Sequence, residues 1–337
     1  MQKKLIVAGG ALDRLMRAMH EGDVLFEQCR TTSLPPGSCV KSRSEFDQIS
    51  LLNLRWLLEG AGGQPVELFV SSRGERRLDS SVQTSLLPQT IPQGALVRLR
   101  DNIYALSPEH YFIWKCRQLP DMISRLMLCD ELLGRYSRPT PGENSSTCTY
   151  FKEPLSTKRR IMAYINRAKG VRGVNLARSA ARWAVENSYS PMESALATAS
   201  LLPMRHGGWG YTFPQLNQVL AVPRSKRHLT HSDSFMPDVF WQLYRLDLEY
   251  DSHERHDTIA ERKKDAIRKS DIEALGYKVI PVHPEELYSF EEAERLRLKV
   301  GEHMARTSGR SMREHLRRLD DPELAEGRRA LLERLLP

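Results

Sequence analysis

Cysteine is scarce in this 337-residue chain. The five present, Cys29, Cys39, Cys116, Cys129 and Cys148, are odd in number and irregular in spacing, and no CxxC pair occurs. That usage argues against a disulfide framework or a paired-cysteine zinc site and fits reduced thiols in a cytosol. Cys29 and Cys39 enclose Pro35, Pro36 and Gly37, and no second pair follows to complete a metal site. Long apolar runs are missing as well. No stretch reaches the roughly 18 consecutive apolar residues that a membrane-spanning helix needs. The apolar run after Lys3 and Lys4 stops at Asp13 and Arg14, too early for a signal-peptide core. A soluble, cytoplasmic protein with no membrane partner is expected. Internal repeats and low-complexity tracts are absent. The glycines at 207, 208 and 210 are not followed by the Gly-Lys-Ser/Thr of a phosphate loop.

What is present can fold. Forty per cent of the residues are apolar and 27% charged, enough for a core and unlike a disordered chain. The net charge of +8 favours polyanionic partners such as nucleic acid, although many soluble proteins carry a similar surplus.

Punctuation divides the chain. The stretch 139–157 combines Pro139, Pro141 and Gly142 with a Ser/Thr/Asn cluster and reads as a linker. Residues 1–138 then form an α+β domain, 158–300 a second domain, and 301–337 charged C-terminal helices. In the first domain, 51–60 reads as a helix, and 67–72 and 95–107 alternate as strands. Ser107-Pro108-Glu109 opens a helix to about Leu119. Beyond the linker, two helices flank Arg172-Gly173. Ser190 caps a third, with Pro191 at its first position and Glu193 three residues after the cap. Three strand candidates follow, QLNQVLAV, MPDVFW and RLDLEYD. A capping box at Thr258–Glu261 opens a helix that Gly276 stops, and YKVIPV is a last strand. The fold class is mixed α/β: helix, three-strand meander, helix, strand.

In LDLEYD, apolar residues alternate with Asp247, Glu249 and Asp251, and His253 and His256 follow. If 236–241 and 245–251 pair as a hairpin, Asp238 lies across from Glu249 or Asp251. Carboxylates that converge to about 4 Å suit Mg²⁺, a hard cation that prefers oxygen ligands, and such an ion activates water beside a phosphate.

MPDVFWQLYRLDLEYDSHERH, with KKDAIRKSDIEALGYKVIPVHPEEL after it, resembles the PD-(D/E)xK nuclease superfamily, in the branch of the very-short-patch-repair endonucleases. Asp238, Glu249, Asp251, His256, Asp265, Arg268 and Gly276-Tyr277-Lys278-Val279 match that branch in order over about 185–290, and Glu193 matches its leading acid. The resemblance implies a restriction-endonuclease-like core and a DNA endonuclease of phage defence or DNA repair. It implies Mg²⁺ or Mn²⁺ held by Asp238, Glu249 and Asp251, with His256 and Glu193 beside them. Arg224, Lys226, Arg227 and Arg268 are the candidate phosphate contacts. Residues 50–135 are similar to the N-terminal region of AbiEi-type antitoxin and abortive-infection proteins, which implies a winged helix and a toxin or defence-system partner.

Departures and plainer readings stand beside these. The superfamily's lysine two residues after the Glu is replaced by Asp251, so Lys263, Lys264 or His256 must stand in, or the domain binds without cutting. Ser252 stands where a glycine is common. Glu193 also fits a capping box, Asp265 and Arg268 also fit an i,i+3 pair, and Arg224–His228 also fits a solvated loop. Asp247, outside the motif, reads as incidental. The arginines at 310, 313, 317 and 318 make a second basic track, on a helix whose leucines pack inward.

Overall fold

The computed structural model describes residues 3–24, 36–49, 54–59, 64–78, 80–87, 91–139, 148–251 and 259–336. The chain divides into two units, Met1–Arg182 and Trp183–Pro337.

The first unit is built on β1 (Leu5–Val7), whose three residues are all buried. The helix α1 (Gly9–Glu21) follows. It turns Leu12, Leu15, Met16 and Met19 inward at helical spacing and ends at Gly22 in the left-handed region, φ 87°. Short helices α2 (Arg43–Asp47) and α3 (Arg55–Glu59) precede β2 (Val66–Val70) and β3 (Val82–Leu86). The expected strand at 95–107 is a hairpin, β4 (Leu96–Arg100) and β5 (Ile103–Leu106), because Asp101 adopts φ 35° and turns the chain. These strands make one mixed sheet in the order β3-β2-β1-β5-β4. Glu67 of β2 accepts a hydrogen bond from Gly10 N (2.5 Å) at the start of α1, a favourable place for an anion. The approach is so close that a Cβ at Gly9 would lie 2.0 Å from the Glu67 carboxyl carbon.

Four helices complete this unit: α4 (Pro108–Lys115), capped by Ser107; α5 (Met122–Leu133), capped by Asp121; α6 (Lys158–Arg167), capped by Thr157; and α7 (Val174–Ala181). The two-residue strands β6 (Tyr136–Ser137) and β7 (Thr149–Tyr150) pair between α5 and α6. The division of the chain therefore falls at Arg182/Trp183, not in 139–157. The reason is packing: α6 contacts α4, and α7 contacts α4, α5 and α6.

The second unit begins with α8 (Pro191–Leu201), a helix buried on nearly every side and capped by Ser190. The expected strand QLNQVLAV is split, because Asn217 takes φ 48°. Its first part is β8 (Gln215–Leu216). Its second, β9 (Leu220–Ala221), pairs separately with β10 (Ser234–Phe235). Next come β11 (Val239–Trp241), β12 (Leu246–Tyr250), α9 (Ile259–Ala274) and β13 (Lys278–Val282). The sheet order is β13-β12-β11-β8, antiparallel except for the parallel β12–β13 pair. Helix, three-strand meander, helix and strand thus occur in the expected order. The β11–β12 turn carries no Gly, Asn or Asp, yet it closes: Arg245 takes the left-handed conformation, φ 47°, after a 3₁₀ turn.

Helices α10 (Pro284–Tyr288), α11 (Phe290–Ser308), α12 (Arg310–Leu319) and α13 (Pro322–Leu335) finish the chain. A boundary at 300/301 would cut through the middle of α11. Buried Arg297 and Arg328 both bind Glu294, and Arg297 also binds Asp320, so the charged C-terminal helices are held to this unit from within.

Candidate functional site

The strand register explains how the acids meet. Val239 pairs with Leu248 and Phe240 with Asp247, which puts Asp238 opposite Glu249. Alternation along β12 then places Asp247, Glu249 and Asp238 on one face of the sheet. The other face carries Val239, Trp241, Leu246 and Leu248, all buried. On the acidic face, Ile272 of α9 and Leu275, one residue past it, pack with Val279, the β13 neighbour of Asp247. The helix therefore packs on the face that carries the acids, where Asp247 is fully buried and Asp238 and Glu249 are partly buried.

Asp247 is fully buried, and neither of its carboxylate oxygens has a hydrogen-bond partner. Burial pushes its carboxyl well above the ordinary range, and the Glu249 carboxylate beside it and Asp238 push the same way. Two carboxylates in contact can hydrogen-bond only when one holds a proton. Asp238 is also raised well above its usual value, first by burial and then by the charges of Glu249 and Glu193. One of its oxygens accepts from Tyr250 N at 2.8 Å.

Among the described residues, Arg268 is the cation facing these acids. Its Nη1 lies 2.6 Å from Glu249 Oε2, and its Nη2 donates to Met236 O at 2.8 Å. Burial opposes its charge, but the hydrogen bond and charge of Glu249, with Asp247 and Asp238 behind, hold it above its ordinary value. The second Glu249 oxygen, Oε1, has no hydrogen-bond partner.

Asp251 lies one residue past β12. Its Oδ2 is 3.8 Å from His283 Nδ1, and both side chains are about two-fifths exposed. It is not among the groups acting most strongly on the buried pair, which are Glu249, Glu193 and Asp238. Glu193 caps its helix. Its carboxylate accepts from the Ser190 hydroxyl (3.0 Å), Tyr189 N (2.9 Å) and Asn217 Nδ2 (2.6 Å), so it reaches Asp238 as a charge rather than as an open ligand. His253 and His256 lie outside the described residues. Among the described residues, no three His, Cys, Asp or Glu side chains form a group arranged to hold a metal ion.

Arg224, Lys226 and Arg227 sit on a 3₁₀ segment, Arg224–Leu229, between β9 and β10. Lys226 donates to Leu275 O near the end of α9 (3.2 Å), and Arg227 pairs with Asp233 (3.2 Å); Arg224 is exposed. No protein-family model matches the chain, and no curated protein or solved structure is significantly similar to it.

Asp247, expected to be incidental, therefore belongs to this cluster. Asp247 is the most buried member of the cluster, and Asp251 stands at its rim. The signal was available, since Asp247 shares the parity of Glu249, but alternation does not say which face a helix will cover. His283, placed beside Asp251, carried no signal of its own beyond the end of the last strand.

Proposed function

We propose that this protein is a Mg²⁺- or Mn²⁺-dependent DNA endonuclease. Its restriction-endonuclease-like core would be α8, β8, β11, β12, α9 and β13, and its role phage defence or DNA repair. The observation that carries the reading is Asp247, a buried carboxylate with two unpartnered oxygens, side by side with Glu249 and across from Asp238. Burying such a group without a donor is costly, and a divalent cation relieves that cost. The donor set is hard oxygen, as Mg²⁺ requires. Asp238, Glu249 and Asp251 would hold the ion, with Asp247 as a further ligand. When bound, the ion supplies Lewis-acid stabilisation of a scissile phosphate and a water of lowered pKa.

The chain's own groups supply the rest. Arg268 presents a fork that fits a phosphate as well as it fits Glu249. Lys264 stands four residues before Arg268, on the same face of α9, and takes the place of the lysine that Asp251 displaces; Lys263 and His256 are the other candidates. Arg224, Lys226 and Arg227 neutralise backbone phosphates. Incubating the purified protein with plasmid and Mg²⁺ or Mn²⁺ tests the reading. Nicking or cutting is expected, and Asp247→Asn and the pair Glu249→Ala with Asp251→Ala should abolish it. Cutting that persists in both sinks the site.

One observation favours a second reading. Arg268 already neutralises Glu249, as a resident cation would in a nuclease-fold protein that binds DNA, or a toxin or defence-system protein, without cleaving. That reading predicts salt-dependent DNA retention with no cleavage under any divalent ion.

A further inference from the structure

Away from the acids, the second unit holds a cavity of about 650 Å³, within the size range of small-ligand sites. One wall is aromatic. Trp183 lines it, with the ring of Phe213 parallel to its own (interplanar 4°, centroids 6.1 Å apart). Tyr211 lies behind it, 4% exposed, with its hydroxyl donating to Arg297 O (3.0 Å) and its ring packed against those of Trp209 and His315 (centroids 5.9 and 5.8 Å).

The opposite wall is one face of α12, where Ser311, Glu314, His315 and Arg318 recur at helical spacing. His315 Nε2 lies 2.7 Å from the Trp209 carbonyl. A carbonyl only accepts, so Nε2 donates to it and Nδ1 is the ring nitrogen left for a ligand. Two cations, Arg205 and Arg318, stand at the cavity with one acid, Glu314, which binds Arg318 at 2.7 Å. The Gly-Gly-Trp-Gly stretch makes this closeness possible. A Cβ at Gly210, φ +69°, would lie 3.0 Å from the His315 ring, and one at Gly207 would lie 2.1 Å from the Gly327 carbonyl oxygen.

Flat apolar walls, a hydroxyl and an imidazole for an in-plane edge, and a net positive side describe one ligand class. We propose that this cavity binds a nucleotide: the base lies against Trp183, which Tyr211 and Phe213 support, its edge meets Ser311 and His315, and the phosphate is held by Arg205 and Arg318. The nucleotide is either free in solution or part of a single-stranded nucleic acid. The proposal does not depend on the acid cluster, and its test is run in EDTA, where no metal-dependent cleavage occurs.

Isothermal titration of the full chain with AMP, dAMP, adenosine and ribose 5-phosphate tests it, together with a single-stranded oligodeoxynucleotide of roughly twelve bases. Nucleotides should bind at least about tenfold more tightly than the nucleoside or the sugar phosphate, since stacking and the charge-assisted phosphate contact each contribute on that scale. Arg205→Ala with Arg318→Ala, and separately Ser311→Trp, which fills the mouth from an exposed helix position, should each weaken binding by about tenfold or more. Circular dichroism establishes that both variants fold. Tight binding of mononucleotides identifies the free ligand, and binding of the oligonucleotide alone identifies nucleic acid as the source. Three results overturn the proposal: no binding of any probe at millimolar concentration, binding undiminished in both folded variants, or adenosine or ribose 5-phosphate binding as tightly as AMP.

Discussion

Arg268 of α9 lies 2.6 Å from Glu249 of β12, so a helix cation closes over a strand acid whose neighbours are the buried Asp247 and the partly buried Asp238. The pair ties the helix to the sheet on the face where carboxylates would otherwise repel one another.

Removing the cation should be costly. Arg268→Ala leaves Glu249 and the buried aspartates without their guanidinium. Because the arginine is about one-third exposed, the expected loss is about 1–3 kcal/mol, below the range for fully buried pairs. Adding Glu249→Gln should restore part of it, as a coupled pair does in a double-mutant cycle. Urea unfolding of the four proteins measures the coupling. Strictly additive losses would show that the contact contributes nothing.

Asp247→Asn replaces a fully buried carboxyl, whose oxygens have no donor, with a neutral amide that ends the repulsion from Glu249 and Asp238. The variant should be more stable than the parent at pH 7.5 by about 1 kcal/mol or more, the scale of an unpaired buried polar group. On the endonuclease reading it also loses DNA cutting. Greater stability with lost activity separates this site from an ordinary core residue, for which both would fall together. A variant less stable than the parent would show that the carboxylate is compensated in the fold.

His110 carries a pH prediction for the first unit. It is 4% exposed, it hydrogen-bonds Tyr164 Oη at 2.8 Å, and burial lowers its pKa from 6.5 to about 4. The folded state therefore prefers the neutral ring. The stabilisation is complete above pH 6.5 and is lost as pH falls to about 4, up to about 3 kcal/mol in all. His110→Gln should flatten the stability profile across that window in urea titrations. An unchanged slope would place the titration elsewhere, for example at His20, which burial also lowers.

Glu294 holds two buried arginines. It binds Arg328 through both oxygens at 2.8 and 2.7 Å and Arg297 at 3.1 Å, and each arginine side chain is at most 4% exposed. Glu294→Gln leaves buried Arg328 without an acid and Arg297 with Asp320 alone, and should cost about 3–5 kcal/mol. Limited proteolysis should then release α12 and α13, because Arg297 and Arg328 join α11 to Asp320 and Leu319. A loss under about 1 kcal/mol would mean that Asp320 alone suffices to hold the network.

If DNA is the ligand, Arg224→Ala should lower affinity evenly across sequences and reduce the salt slope of binding by about one unit. Binding measured between low and moderate salt decides it. A change confined to one DNA sequence would mean base contact and not phosphate contact.

Much of the second unit could be read from local chemistry. The Ser190 cap, the alternation of LDLEYD and the Gly276 stop, whose φ is 91°, each act over a few neighbouring residues, and each appears where its residues predict. The signals that misled were also local. QLNQVLAV alternates like one strand, but Asn217 tolerates the left-handed conformation and donates to Glu193 and Asn187 instead of extending the ladder. The leucines of the C-terminal helices read as packing inward, and Arg297 and Arg328 are buried as well, held by Glu294 and Asp320.

The sequence alone determined a mixed α/β chain, the order of helix, meander, helix and strand, and the shared parity of Asp247 and Glu249. These follow from strand and helix periods, which depend only on neighbours in the chain. Tertiary structure decided which face of β12 is covered, and hence that Asp247 rather than Asp251 is the buried acid. It also chose Glu249 as the partner of Arg268. Burial and charge pairing depend on groups tens of residues apart, and only packing α9 onto the sheet brings them together.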